Sequence, residues 1–71
     1  MFGSKKKKIL ENGARRETHA AQLAPALEEL GYGGAVVSTA LNGEFIAAAQ
    51  RPETLLAEGD RLEVLAPMQG G

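Results

Sequence analysis

Arg61-Leu62-Glu63-Val64-Leu65-Ala66-Pro67-Met68-Gln69-Gly70-Gly71 closes the chain, and its first half has the period of a β-strand. Leu62, Val64 and Ala66 alternate with Arg61, Glu63 and Leu65, the two-residue repeat of a strand with one buried face. Pro67 has no N–H to give to a ladder, so the strand is expected to stop before it. Residues 67–71 are expected to hang free as a tail, with Gly70-Gly71 read as the terminus of the chain. Five extended residues reach about 17 Å, enough to carry a terminal carboxylate into the cleft of another protein. Gly70 and Gly71 have no side chains, so a narrow channel admits them, and their backbone freedom fits more than one cleft at an ordering cost on each docking.

Upstream, Ala35 to Leu41 reads as a strand, Asn42-Gly43 as a tight hairpin turn and Glu44-Phe45-Ile46 as the returning strand. A two-residue turn at that place pairs Leu41 with Glu44, Ala40 with Phe45 and Thr39 with Ile46. Val37, Thr39, Leu41 and Ile46 then share one face, and Val36, Ser38, Ala40 and Phe45 share the other. The bulkier first set is assigned to the core. Phe45 and Ala40 consequently fall on the outer face with Leu65, an apolar patch near the tail and a candidate docking surface. Lone apolar side chains on a surface are also ordinary.

Lys7 and Lys8 lead into a first strand with Ile9, Leu10 and Glu11, and Asn12-Gly13 is again the preferred hairpin turn, into a second strand from Ala14 to Thr18. Ile9 and Leu10 are adjacent and point oppositely, so the pattern leaves the buried face of this strand open. Leu23, Leu27 and Leu30 recur at helical spacing, giving one amphipathic helix from about Gln22 to Leu30 with Thr18 or His19 near its cap. Pro25 is compatible with the first turn, Gly31 ends the helix as a left-handed residue, and Tyr32 is placed to fold back over that end. Ala47 to Gln50 lacks alternation, Arg51-Pro52-Glu53 interrupts the chain further, and Glu53 to Ala57 is taken as a short helical turn. Glu58-Gly59-Asp60 is a turn into the last strand.

At 71 residues the chain makes one domain, and a chain of this size buries only about 60% of its unfolded surface. It has no room for a deep active site. Hydrophobic residues are 44% and aromatic ones 4%, so aliphatic side chains must fill the core. No cysteine and a single histidine leave no disulfide, thiolate nucleophile or zinc-finger spacing, and no catalytic or metal-binding residue is assigned. A net charge of −1 argues against general nucleic-acid affinity, and the Lys5–Lys8 run, without aromatic interleaving, reads as a solvated terminus. No apolar run has the length of a membrane span or signal peptide, so a cytoplasmic protein with no membrane partner is expected.

Three stretches carry a family resemblance: Ala40-Leu41-Asn42-Gly43-Glu44-Phe45-Ile46, Glu58-Gly59-Asp60-Arg61-Leu62-Glu63-Val64 and Ala66-Pro67-Met68-Gln69-Gly70-Gly71. From about Ile9 to Gly71 the sequence resembles the ThiS family, sulfur carriers of thiazole (thiamin) biosynthesis within the ubiquitin-like β-grasp group, which includes the small subunit of molybdopterin synthase and ubiquitin. The resemblance implies an α+β fold with a mixed sheet of about five strands packed on one helix, the last strand lying centrally beside the first. It divides the chain into a disordered or expression-derived basic N-terminus (1–8), the β-grasp domain (9–66) and a flexible tail (67–71). It implies a carrier rather than an enzyme: Gly71 is adenylated by a ubiquitin-activating-like adenylyltransferase that uses ATP, the carrier itself binding no cofactor. Pro67, Met68, Gln69 and Gly70 are then the recognised tail. Sulfur from a cysteine desulfurase or other donor makes the thiocarboxylate, which thiazole synthase consumes. The family often has Pro-Arg where Ala47-Ala48 stand here, so a partner contact through that arginine has no counterpart. A molybdopterin-synthase-type carrier, a ubiquitin-like protein modifier and a non-catalytic binding module remain the alternatives.

Overall fold

The structure, a computed structural model, describes residues 6–66. The element order is β1 (Lys7–Glu11), β2 (Ala14–Thr18), α1 (Leu23–Glu29), β3 (Ser38–Leu41), β4 (Glu44–Ile46), a 3₁₀ helix (Ala48–Glu53) and β5 (Arg61–Leu65). The strands form one mixed sheet in the order β2-β1-β5-β3-β4, with β1 and β5 parallel and the other neighbours antiparallel. The helix covers one face.

Both hairpins follow from their Asn-Gly pairs. Asn12 and Asn42 each have φ 52°, and Gly13 and Gly43 have φ 85° and 87°, the left-handed pair that a type I′ turn requires. The second turn sets the expected register, Leu41↔Glu44, Ala40↔Phe45 and Thr39↔Ile46. Thr39 is buried, with Val37, Leu41 and Ile46 packed against the core, whereas Phe45 and Val36 are exposed. In β1 the buried side is that of Ile9, and Leu10 faces outward, half-buried.

Strand β3 is shorter than the sequence pattern suggests. Its ladder with β5 ends at Ser38↔Leu65 and that with β4 at Thr39↔Ile46, so Ala35 to Val37 have no neighbouring strand to pair with. Arg51 serves this segment instead: its Nη2 donates to the Val37 carbonyl at 2.6 Å and its Nε to Thr39 Oγ1 at 3.0 Å. The helical turn expected over Glu53 to Ala57 lies earlier, as the 3₁₀ helix, and Leu55 instead bridges Gln22. On β5, Leu62 and Val64 are buried as expected, but Ala66 is exposed, because the strand ends at Leu65 and no neighbour covers the next residue.

The helix begins at Leu23 with Gln22 as N-cap, so Thr18 and His19 do not cap it. Its first N–H is satisfied by a neighbouring segment, Leu23 N donating to the Thr54 carbonyl at 2.8 Å. Thr18 and His19 reach the other end of the helix: the Thr18 hydroxyl and the His19 backbone N–H both donate to the Glu29 carboxylate. The helix ends at Gly31 (φ 103°), with Gly31 N bonded to Glu28 O and Tyr32 N to Leu27 O, the two bonds of a Schellman cap. Leu23, Ala26, Leu27 and Leu30 meet Ile9, Leu56, Leu62 and Val64 in the core.

Candidate functional site

Strand β5 is the last element of the described residues, so what holds it fixes the point from which the chain continues past Ala66. Paired with β1 on one side and β3 on the other, it is the middle strand of the sheet. Two side chains add rungs where the backbone ladders do not. The Asn12 amide makes both bonds to Val64, Nδ2 donating to its carbonyl at 3.1 Å and Oδ1 accepting from its N–H at 2.8 Å. From the opposite side Asn42 Oδ1 accepts from Arg61 N at 2.9 Å, while the Asn42 backbone N–H donates to the Arg61 carbonyl at 2.7 Å and its Nδ2 to Asp60 Oδ1 at 3.0 Å. The two turn asparagines thus clamp β5 near both ends. Sequence reading assigned them to turns alone; the missed signal is that an Asn amide carries a donor and an acceptor spaced like a peptide group.

Strand β1 is fixed in turn by a carboxylate on its buried face. Glu11 accepts from Arg16 Nη1 at 2.7 Å and from the Tyr32 hydroxyl, which ties the first hairpin to the helix end. The hydrogen bond to Glu11 raises the Tyr32 pKa, because an ionised phenol would lose its role as donor; burial and the carboxylate charge add to the effect. Glu29 is shifted down, first by the hydrogen bond from Thr18 and further by the His19 N–H and imidazole, against some desolvation.

On the outer face Phe45 and Leu65 are 70% and 68% exposed, and half-buried Ala40 lies directly opposite Phe45. Leu65 pairs with Ser38 and is therefore the diagonal neighbour of Ala40. The structure brings all three together on one face at the end of β5 where the chain departs. Pro67, Met68, Gln69, Gly70 and Gly71 lie outside the described residues. Among the described residues no cluster of His, Asp or Glu has the arrangement of a metal site, and no helix is long and apolar enough to cross a membrane. Ala47 and Ala48 open the 3₁₀ helix, whose arginine, Arg51, is turned inward to β3.

A five-stranded mixed sheet over a single helix, with β5 as its middle strand, is the ubiquitin-like β-grasp fold. The ThiS family profile matches residues 6–71. The sulfur carrier protein ThiS of Thermus thermophilus is 38% identical over 60 residues, covering 84% of this chain and 94% of that protein. The crystal structure of the thiamine biosynthesis protein (ThiS) from Geobacter metallireducens has a TM-score of 0.75 at 28% identity, over 90% of this chain and 99% of that one. The chain belongs to the ThiS family, and so to small sulfur carriers that work with partner enzymes rather than to catalysts.

Proposed function

We propose that the Gly71 carboxylate carries sulfur as a thiocarboxylate for thiazole (thiamin) synthesis. A carboxylate is a poor electrophile until one oxygen becomes part of a good leaving group. A ubiquitin-activating-like adenylyltransferase supplies that group: the Gly71 oxygen attacks the α-phosphorus of ATP, pyrophosphate leaves, and an acyl-adenylate forms. The terminal sulfur of a persulfide, on a cysteine desulfurase or another donor, then attacks the acyl carbon and AMP leaves. A thiol cleaves the resulting acyl disulfide, which leaves –COSH on Gly71, and thiazole synthase takes the sulfur. ATP is bound by the partner and the carrier holds no cofactor, a division of labour suited to the cytoplasm.

The observation that carries this reading is that the family match runs through Gly71. The clamped central position of β5 supports it, since a fixed launching strand lowers the entropy lost when the tail enters a cleft. Phe45, Leu65 and Ala40 are the proposed contact for the adenylating partner, and Pro67 to Gly70 the segment its channel reads. Deleting Gly71 tests the proposal. A carrier loses all sulfur transfer while its domain still binds the adenylating enzyme. Gly71→Ala slows adenylation, because a methyl must enter a channel shaped for glycine, and unchanged adenylation kinetics in that variant would count against the assignment.

A further inference from the structure

The outer face of the sheet has two unlike halves. Phe45, Ala40 and Leu65 occupy one. The other carries Lys8, Arg15 and Arg61 around Leu10: in the sheet register Arg15 lies opposite Leu10, and Leu10 lies beside Arg61. Two carboxylates share this face, Glu17 opposite Lys8 and paired with Lys6, and Glu63 on β5 between Arg61 and Leu65, so the cations outnumber the anions without standing alone. All three cations are exposed. Ion pairs among the described residues are Lys6–Glu17, Arg16–Glu11 and His19–Glu29, and Lys8, Arg15 and Arg61 enter none. A cleft lined by Lys8, Arg15, Arg16 and Glu17 opens beside them. This local positive charge stands on a chain whose net charge is −1.

The two halves are close enough for one partner to cover both. Arg61 and Leu65 are the first and last residues of β5, so they stand about 13 Å apart at about 3.3 Å per residue. A protein interface of ordinary size covers about 800 Å² on each side, a disc of radius about 16 Å. A partner centred on Leu65, as it must be to receive the chain leaving β5, therefore reaches the cationic row. Glu17 and Glu63 offset part of this charge, and covering the remaining cationic excess with a partner that brings no counter-charge costs hydration and returns nothing. We infer that the Lys8–Arg15–Arg61 row is an electrostatic docking subsite for acidic side chains on the adenylating enzyme, separate from the apolar contact at Phe45 and Leu65. The inference rests on the carrier reading above. The apolar half holds the complex together, and the cationic half steers and orients the approach, which places its effect mainly on the association rate.

The test is the association rate of the purified adenylating enzyme with the full chain and with Arg15→Glu/Arg61→Glu, measured across a salt series, with circular dichroism as the check on folding. Arg15→Gln/Arg61→Gln provides a milder second variant, and Glu28→Lys on the helix side a control. Charge reversal is expected to slow association about tenfold at low salt. The gap should close as the screening length falls from about 10 Å at 0.1 M salt to about 3 Å at 1 M. The neutral pair should fall between, and Glu28→Lys should match the unaltered chain. Equal rates with equal salt dependence for all chains would overturn the inference while leaving the carrier reading intact. Failure of the unaltered chain to bind the enzyme at all would remove both.

Discussion

Leu62 and Leu65 lie on the same strand and lose the same atoms when changed to alanine, yet the structure assigns them opposite consequences. Leu62 is 0% exposed and Leu65 68% exposed. A buried Leu→Ala costs about 3–5 kcal/mol, since the transfer energy of the lost methyls is joined by the cavity left behind. A domain of this length has about 4–11 kcal/mol in all, so Leu62→Ala should remove about a quarter of it or more and lower Tm by about 20 °C. Leu65→Ala should stay within about 0.5 kcal/mol, because its side chain leaves water on one side only. Urea unfolding followed by far-ultraviolet circular dichroism measures both, with an unchanged m-value showing that the same surface is exposed. Affinity for the adenylating partner should run the other way: Leu65→Ala binds more weakly, and Leu62→Ala, where it remains folded, binds normally. Reversed losses, with Leu65→Ala the costly variant, would refute the register, since a one-residue slip of β5 exchanges its faces.

Further expectations concern the groups that hold β5 and the hairpins. Tyr32 is the only tyrosine and there is no tryptophan, so the near-ultraviolet tyrosinate band titrates this residue alone. Its folded pKa lies above the ordinary value of about 10, so the stabilisation is complete below that pH and is lost as pH rises through the folded value. Glu11→Gln should bring the midpoint down toward that of free tyrosine, and an unmoved midpoint would contradict the Glu11 contact. Glu29 shifts the opposite way: its contribution is present above the usual carboxylate pKa of about 4.3 and is lost as pH falls through the lower folded value. Glu29→Gln should therefore flatten the acid limb of the stability curve, and an unaltered limb would speak against the Thr18 and His19 bonds. Asn12→Gly keeps the turn's backbone angle but removes both side-chain bonds to Val64, and should cost about 1–3 kcal/mol. Amide exchange at Val64 should accelerate, and unchanged protection there would show that the clamp does not hold β5.

Much of this was legible because it is local. An Asn-Gly pair between apolar runs admits few turns, so both hairpins and the Phe45–Ala40 pairing follow from the sequence, and the alternation of β5 assigns Leu62 and Val64 inward. What was not legible depends on neighbours distant in the chain. Where β3 begins is decided by the ends of β4 and β5, and the start of α1 by the Thr54 carbonyl, which takes the part a capping side chain would have had. Glu11 reads as a surface residue until Arg16 and Tyr32 are placed around it. The outer patch was readable from parity alone, whereas the Lys8, Arg15 and Arg61 row required the parallel register of β1 with β5. Departures from the expected elements, at Ala35 to Val37 and at Glu53 to Ala57, both fall where the chain has lost its strand partners and rests on Arg51 or on the bridge to Gln22.

The central claim concerns one atom pair at Gly71, and intact mass measurement addresses it most directly. The chain is incubated with ATP, a matching adenylating enzyme and a sulfur donor, then weighed whole and after digestion. The account predicts the gain of one oxygen-to-sulfur exchange, confined to the peptide that ends in Gly71 and absent when ATP or Gly71 is omitted. No gain from an enzyme and donor that load another carrier in parallel would contradict it.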